Sequence, residues 1–366
     1  MHLQFVKLWN FKNYEEAQLS FSPQINCFVG ENGSGKTNLL DAIYYLALTK
    51  SAFQKTEQHN ILHESSFFIV QGKFEYATAE TFEIKCSYGL AEKKNLWCNE
   101  VPYERLSEHI GRFPAVLIAP NDTLMIQEGS EERRKFFDGI IAQTNPQYLQ
   151  HLLTYNHYLL QRNSLLKQFA EKGYLDRDLL ALYTEPLVEF GQHIHAERKM
   201  FIALFEPLFQ KHYEQLTESR EKVSLTYESS WQADAPAAIF SENESKDLAL
   251  QRTSKGVHKD DYLFSIEDFS LKRYGSQGQQ KSYIIALKLA QFEAITQTTG
   301  RKPLLLLDDI FDKLDDRRIV KLLEMMADGV FGQIFITDAR PERSRQLLAN
   351  FSADVRFFEI QKGNVN

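Results

Sequence analysis

Apolar and polar positions mix over residues 3–8, alternate over 17–21 and turn mainly apolar over 25–29, which predicts three strands at the start of the chain. Leu39, Leu40, Ile43, Tyr44, Leu46 and Ala47 then recur at helical spacing. Their apolar face is broad enough to pack under a sheet. Residues 67–76 and 81–88 are rich in β-formers, are separated by a small polar break, and read as an antiparallel pair. Residues 115–119 form a strand of the fully buried type, closed by Pro120. From 121 to about 213 the pattern is helical. Pro146 is placed to open a long helix, and Gly173 and Pro186 are expected to divide the run into several helices. The Tyr and Leu positions that recur between Tyr148 and Leu160 read as a helix-packing core and not as a cofactor box.

Strand character returns at 223–227, and 229–240 is irregular. The rest alternates: strand 262–266, helix 283–294, strand 302–309, helix 319–326, strand 333–337, helix 341–348 and strand 355–360. Alternation of this kind builds a mainly parallel sheet. The expectation is an α/β fold. One domain is split over 1–120 and 245–366, with a mainly helical lobe inserted over 121–244.

Composition narrows the class. A chain of 366 residues with 43% hydrophobic and 25% charged content has ample material for a core. Cys27, Cys86 and Cys98 make no CxxC pair and no metal spacing, which suits a reducing cytosol. Residues 1–7 carry no signal-peptide core, and no apolar run approaches the ~20 residues of a membrane span, so a cytoplasmic protein is expected. A net charge of -7 argues against a uniformly basic surface but leaves room for a local basic groove.

The chemistry centres on Gly30-Glu31-Asn32-Gly33-Ser34-Gly35-Lys36-Thr37, set between a predicted strand and a predicted helix. The spacing G-x-x-x-x-G-K-T in that context is a P-loop. Its glycines let backbone amides turn inward around phosphate oxygens, and the helix that follows aims its positive end at the same anion. Lys36 can reach the β- and γ-phosphates, and the Thr37 hydroxyl can ligate Mg²⁺. The strand 302–309 ends in Asp308 and Asp309, where α/β ligand sites form. Asp308 is the candidate Mg²⁺ ligand, and Asp309 the candidate to orient or activate the attacking water. Ser276-Gln277-Gly278-Gln279-Gln280 precedes a helix, and Ser276 is a natural N-cap, so its amides offer a second anion site. Ordinary capping explains the same residues.

The order P-loop, S-x-G-Q-Q at a helix start, then an apolar strand ending in paired acids is similar to an ABC-type ATPase head: a mixed sheet with a P-loop plus an antiparallel meander. Within that class the chain resembles the RecF family of bacterial recombination mediators. The resemblance is carried by residues 8–14, Leu-Trp-Asn-Phe-Lys-Asn-Tyr; by Gly129 with Arg133, Arg134, Phe136 and Asp138; by Gly256-Val257-His258-Lys259-Asp260-Asp261; by Ser276 to Lys281; and by Asp312-Lys313-Leu314-Asp315, which resembles the D-loop. It covers nearly the whole chain and is weakest over 165–243. Lys259 and Lys281 stand where the family has Arg, and Val257 where Pro is usual; charge is kept, but Lys lacks the bidentate fork.

The resemblance implies an ATP-dependent homodimer. Each ATP, with Mg²⁺, would lie between the P-loop of one copy and Ser276, Gln277, Gly278 and Gln279 of the other, with Lys12 and Asn13 near the nucleotide. It also implies sequence-independent binding to double-stranded and gapped DNA, weak hydrolysis, and partners of the RecR and RecO type. From the residues alone DNA binding has thin support. Lys246, Arg252, Lys255, Lys259, Lys272 and Arg273 cluster, but acidic residues interleave with them. An ATP-binding switch without essential turnover, or an ABC-type subunit of another system, are the rival readings. The transporter form lacks support, since Phe335-Ile336-Thr337-Asp338 supplies no switch His.

Overall fold

The computed structural model describes residues 1–217, 221–231, 234–312, 319–321, 324–325, 329–349 and 353–365. The chain divides into two compact units, Met1–Asp122 with Ile284–Asn366, and Thr123–Tyr283.

The first unit opens with strands β1 (His2–Phe11), β2 (Tyr14–Ser20) and β3 (Ile25–Val29), then helix α1 (Lys36–Leu48). Strands β4 (Phe67–Glu75), β5 (Thr81–Gly89), β6 (Glu92–Cys98), β7 (Val101–Pro102) and β8 (Ala115–Ile118) follow. The second unit holds α2 (Leu124–Gln127), α3 (Ser130–Thr144), α4 (Pro146–Lys172), α5 (Arg177–Thr217) and β9 (Val223–Glu228). It continues through α6 (Ala238–Ser241), α7 (Glu244–Leu250), β10 (Asp261–Ile266), β11 (Phe269–Ser270) and α8 (Leu271–Tyr274) to the start of α9 (Gln277–Thr299). The first unit resumes with β12 (Leu304–Leu307), β13 (Ile334–Asp338), α10 (Pro341–Leu348), β14 (Val355–Gln361) and β15 (Asn364–Val365).

Two six-stranded sheets make up the first unit, in the orders β2-β1-β4-β5-β6-β7 and β15-β14-β3-β13-β12-β8. The first is antiparallel throughout. In the second, β14, β3, β13, β12 and β8 run parallel and β15 turns back as a hairpin. Here β3 is central, between β13 and β14, and all five of its residues are buried. That burial is why Ile25 to Val29 reads as a continuous run instead of an alternation. Leu39, Leu40, Ile43 and Leu46 of α1 share one core with Val6, Leu8, Phe68 and Val70 from the antiparallel sheet and Leu304, Leu306 and Phe335 from the parallel one.

In the second unit α3, α4 and α5 accompany a three-stranded antiparallel sheet, β11-β10-β9. Strand β10 pairs with β9 from Asp261 opposite Glu228 to Ile266 opposite Val223, which groups residues up to Tyr283 with the helices. Tyr148, Tyr155, Leu187, Ile194 and Trp231 form the main core here.

Three elements depart from the sequence reading. Pro186 does not end a helix: α5 runs unbroken through Pro186 and Pro207. A proline costs one helical hydrogen bond, but Leu187, Gly191, Ile194 and Phe205 are buried along this helix, and packing overrides propensity. Trp231 lies so close over Gly191 that a Cβ there would stand 2.5 Å from its ring. Strand β6 was not expected, because Glu-Lys-Lys-Asn-Leu-Trp-Cys buries few apolar groups; its hairpin pairing to β5 forms it. Helix α9 starts and ends beyond the expected 283–294. The helix expected at 319–326 falls partly, and the D-loop residues 313–315 wholly, outside the described residues.

Candidate nucleotide site

Strand β3 delivers the chain to Gly30, and α1 begins at Lys36. Glu31, Asn32 and Gly33 form an exposed crest, whereas Ser34, Gly35 and Lys36 are buried. Gly35 has φ +117°, and a Cβ there would meet Asn13 Nδ2 at 2.5 Å, so no side chain fits. The Lys36 ammonium folds back along the loop and donates to the carbonyls of Gly30 at 2.8 Å and Glu31 at 2.9 Å. The Ser34 hydroxyl is buried without a hydrogen-bond partner among the described residues. A buried orphan hydroxyl beside a buried ammonium at a helix N-terminus suits a phosphate group.

Asp308 follows β12, and its Oδ1 accepts hydrogen bonds from Thr37 Oγ1 and Thr337 Oγ1, both at 2.8 Å. Burial is the main cause pushing its carboxyl above the ordinary range. The two threonine hydrogen bonds and Lys36 oppose the rise, and the charge of Asp309 adds to it. A hydroxyl and a buried carboxylate converge, which is the oxygen donor chemistry of a hard divalent cation. Among the described residues no group of three or more His, Cys, Asp or Glu side chains is placed to hold a metal ion by itself, so a cation here would draw its remaining ligands from phosphate and water. Asp309 stands next to Asp308 with φ +47°, and its amide donates to Thr337 Oγ1 at 2.9 Å.

Thus the fold brings Gly30 to Thr37, Asp308 and Asp309 into one place. Lys12 and Asn13 lie in the turn between β1 and β2, against the same loop. The Lys12 ammonium pairs with Asp41 of α1 at 2.5 Å, in a nearly solvent-free site. Asp41 also accepts from Ser51 Oγ at 2.6 Å and the Ala52 amide at 2.7 Å. Asn13 Nδ2 donates to the Ser34 carbonyl at 3.2 Å, and Asn13 Oδ1 accepts from Asn38 Nδ2 at 2.7 Å. Sequence reasoning did not assign Thr337, Asn38, Asp41 or Tyr14 to the site. Thr337 carried a faint signal, a polar residue that follows the apolar run Ile334 to Ile336 beside the strand of the two acids.

Ser276 to Gln279 belong to the second unit. Ser276 Oγ accepts from the Gln279 amide at 3.2 Å, and Gln279 Oε1 accepts from the Ser276 amide at 2.7 Å. This reciprocal pair is a capping box, with glutamine as the returning side chain. Gln279 Nε2 also donates to Glu221 at 2.7 Å. Ser276, Gln277 and Gly278 stay at least partly accessible.

The second unit also shows what two of the sequence motifs do. Arg133 grips Asp261 with two hydrogen bonds, of 2.7 and 2.9 Å, and Arg134 donates to the Asp260 carbonyl at 2.6 Å. Buried Arg198 joins Asp138 at 2.8 Å to Asp260 at 2.9 Å. The residues around Arg133 and those around Asp260 are therefore one charge-paired fastening inside this unit. Lys259 is exposed.

The RecF/RecN/SMC N terminal domain family model matches residues 2–353. A DNA replication and repair protein RecF from Cytophaga hutchinsonii is 46% identical over 365 residues, 100% of this chain and 96% of that protein. The protein so named from Flavobacterium johnsoniae is 46% identical over 360 residues, 98% of this chain and 100% of its own length. A solved structure of the recombination mediator protein RecF-ATP in the RecFOR pathway is similar with a TM-score of 0.91 at 29% identity, covering 100% of this chain and 97% of that one. The Smc head bound to the C-winged helix domain of ScpA, with a TM-score of 0.59 and 15% identity over 100% and 96% of the two chains, shares the fold.

Proposed function

The chain belongs to the RecF family of DNA replication and repair proteins, and from that premise we propose an ATP-dependent DNA-binding switch of recombinational repair and replication-fork maintenance. ATP binding brings two copies together head to head on duplex or gapped DNA, slow hydrolysis separates them, and partners of the RecR and RecO type load recombinase while the dimer persists. The cytoplasm is the proposed location; among the described residues no helix is long and apolar enough to cross a membrane. One observation carries the reading. The Thr37 hydroxyl touches Asp308 at 2.8 Å, so the P-loop and the acid-bearing strand, far apart in sequence, form one site.

When bound, Mg²⁺ and ATP supply a phosphoanhydride and a charge that differ before and after hydrolysis. The chain's own groups divide the remaining work. The loop amides and Lys36 neutralise phosphate charge, and Lys36 exchanges its two carbonyl partners for phosphate oxygens. Thr37 and Asp308 would hold the cation. Asp309 orients the attacking water, its backbone set by the hydrogen bond to Thr337. The capped start of α9, from Ser276 to Gln279, meets the phosphates of the second copy with its amides and dipole. DNA contacts are to phosphates, so binding is salt-sensitive and indifferent to sequence.

Sedimentation on gapped DNA, with and without ATP at two salt concentrations, tests this. The wild type should sediment as a dimer only with ATP, and Lys36→Met should remain monomeric. A wild type whose sedimentation ignores ATP overturns the proposal.

A further inference from the structure

Strand β14 lies beside β3, with Phe358 opposite Phe28 and Glu359 opposite Val29, and continues past the loop that follows β3. At Gly30 the approach is so close that a Cβ would lie 2.3 Å from the Ile360 carbonyl oxygen. Beyond Gln361 the chain reverses at Lys362 and Gly363, with φ +48° and +81°, into β15. Two successive positive φ values make the tight hairpin turn that matches strand twist. At that turn the Gly363 amide donates to the Ser34 carbonyl at 3.0 Å. The same carbonyl accepts from Asn13 Nδ2 at 3.2 Å. The next one, of Gly35, accepts from the Tyr14 hydroxyl at 3.0 Å. Gly363 also sits against the first hairpin, where a Cβ would be 2.3 Å from the Asn13 carbonyl oxygen.

A trans peptide is planar, with its C=O and N–H pointing nearly opposite ways. A carbonyl held outward therefore turns the following amide inward. Fixing Ser34 O orients the Gly35 amide, and fixing Gly35 O orients the Lys36 amide. These are the amides that a phosphate-cradling loop must point at its ligand. We propose that the C-terminal turn at Gly363 is a positioning element of the nucleotide loop, acting with Asn13 and Tyr14 to hold its amides in the phosphate-binding direction. The inference rests on the reading that this loop binds a triphosphate. It assigns a role in binding to the last hairpin of the chain.

The test compares ATP with inorganic tripolyphosphate, which offers the phosphates without the nucleoside. Gly363→Ala adds a methyl group against the Asn13 carbonyl and should weaken both ligands by about tenfold, the order expected for one strained and one lost hydrogen bond. In the ligand-free variant the Gly35 and Lys36 amides should exchange hydrogen faster than in the wild type. In the wild type itself, tripolyphosphate should slow exchange of the Gly363 amide, a readout that does not depend on the variant folding. The proposal is overturned by a folded Gly363→Ala chain that binds tripolyphosphate within twofold of wild type, or by a Gly363 amide indifferent to the ligand. A wild type that binds neither ligand defeats the nucleotide reading instead.

Discussion

Replacing Thr337 by valine keeps the β-branched shape that suits β13 and removes one oxygen atom. That oxygen donates to Asp308 Oδ1 at 2.8 Å and accepts the Asp309 amide at 2.9 Å, and Thr337 is fully buried. Each of the two hydrogen bonds contributes about 1 kcal/mol net, and an amide left unpaired costs a further 1–3 kcal/mol or so, which puts the loss at about 3–5 kcal/mol. The effect should also reach function, because Asp308 is left with the hydrogen bond from Thr37 and the Asp309 amide loses its acceptor. Urea unfolding followed by circular dichroism should show the transition of the first unit at lower denaturant. ATP hydrolysis should fall more than ATP binding, since the residue set by Thr337 is the one assigned to water. Thr337→Ser restores the oxygen and should recover most of both. A valine variant within about 0.5 kcal/mol of wild type, or one whose hydrolysis is unchanged, would refute the reasoning.

Two further outcomes are expected. Burial pushes His109 down to about 4, and its ring nitrogens lie 2.7 Å from the Leu46 carbonyl and 3.1 Å from the Tyr103 hydroxyl. The unfolded chain then binds more protons than the folded one between pH 4 and 6.5, so stability is full above 6.5 and falls as pH drops, by roughly 3 kcal/mol at pH 4. His109→Gln should flatten that part of the pH–stability curve, and an unaltered curve would exclude His109 as its source. Asp309→Asn tolerates the positive φ as well as Asp does. It should leave ATP binding intact while slowing turnover and prolonging the ATP-bound dimer in sedimentation, so wild-type turnover in this variant would remove Asp309 from its assigned role.

Much of the first unit was legible along the chain because its signals are local. A short, mainly apolar run, a glycine-rich turn and a helical apolar face follow one another from Ile25 to Ala47, and each depends on its own neighbours. The buried strand ending in Asp308 and Asp309 is as plain, because a strand covered on both faces can spare no polar residue until it ends. The helix start at Ser276 was read as a cap, and its Oγ does cap Gln279. The misreadings come where packing at a distance decides. Pro186 is a breaker by its own chemistry, but Leu187, Ile194 and Trp231 form one buried cluster, and α5 continues through it.

The amino-acid sequence by itself determined the chemistry of the loop from Gly30 to Thr37, the two carboxylates and the family, since these rest on residue types at short spacings. Tertiary structure alone decided what surrounds that loop: Asp308 against Thr37, Thr337 holding both acids, Asn13 and Tyr14 from the first hairpin, and Gly363 from the last. Two of those contacts, Asp308 with Thr37 and Gly363 with Ser34, join residues hundreds of positions apart through the register of β3 with β13 and β14. Sheet register is set by the burial of every strand at once, so no local spacing can announce it.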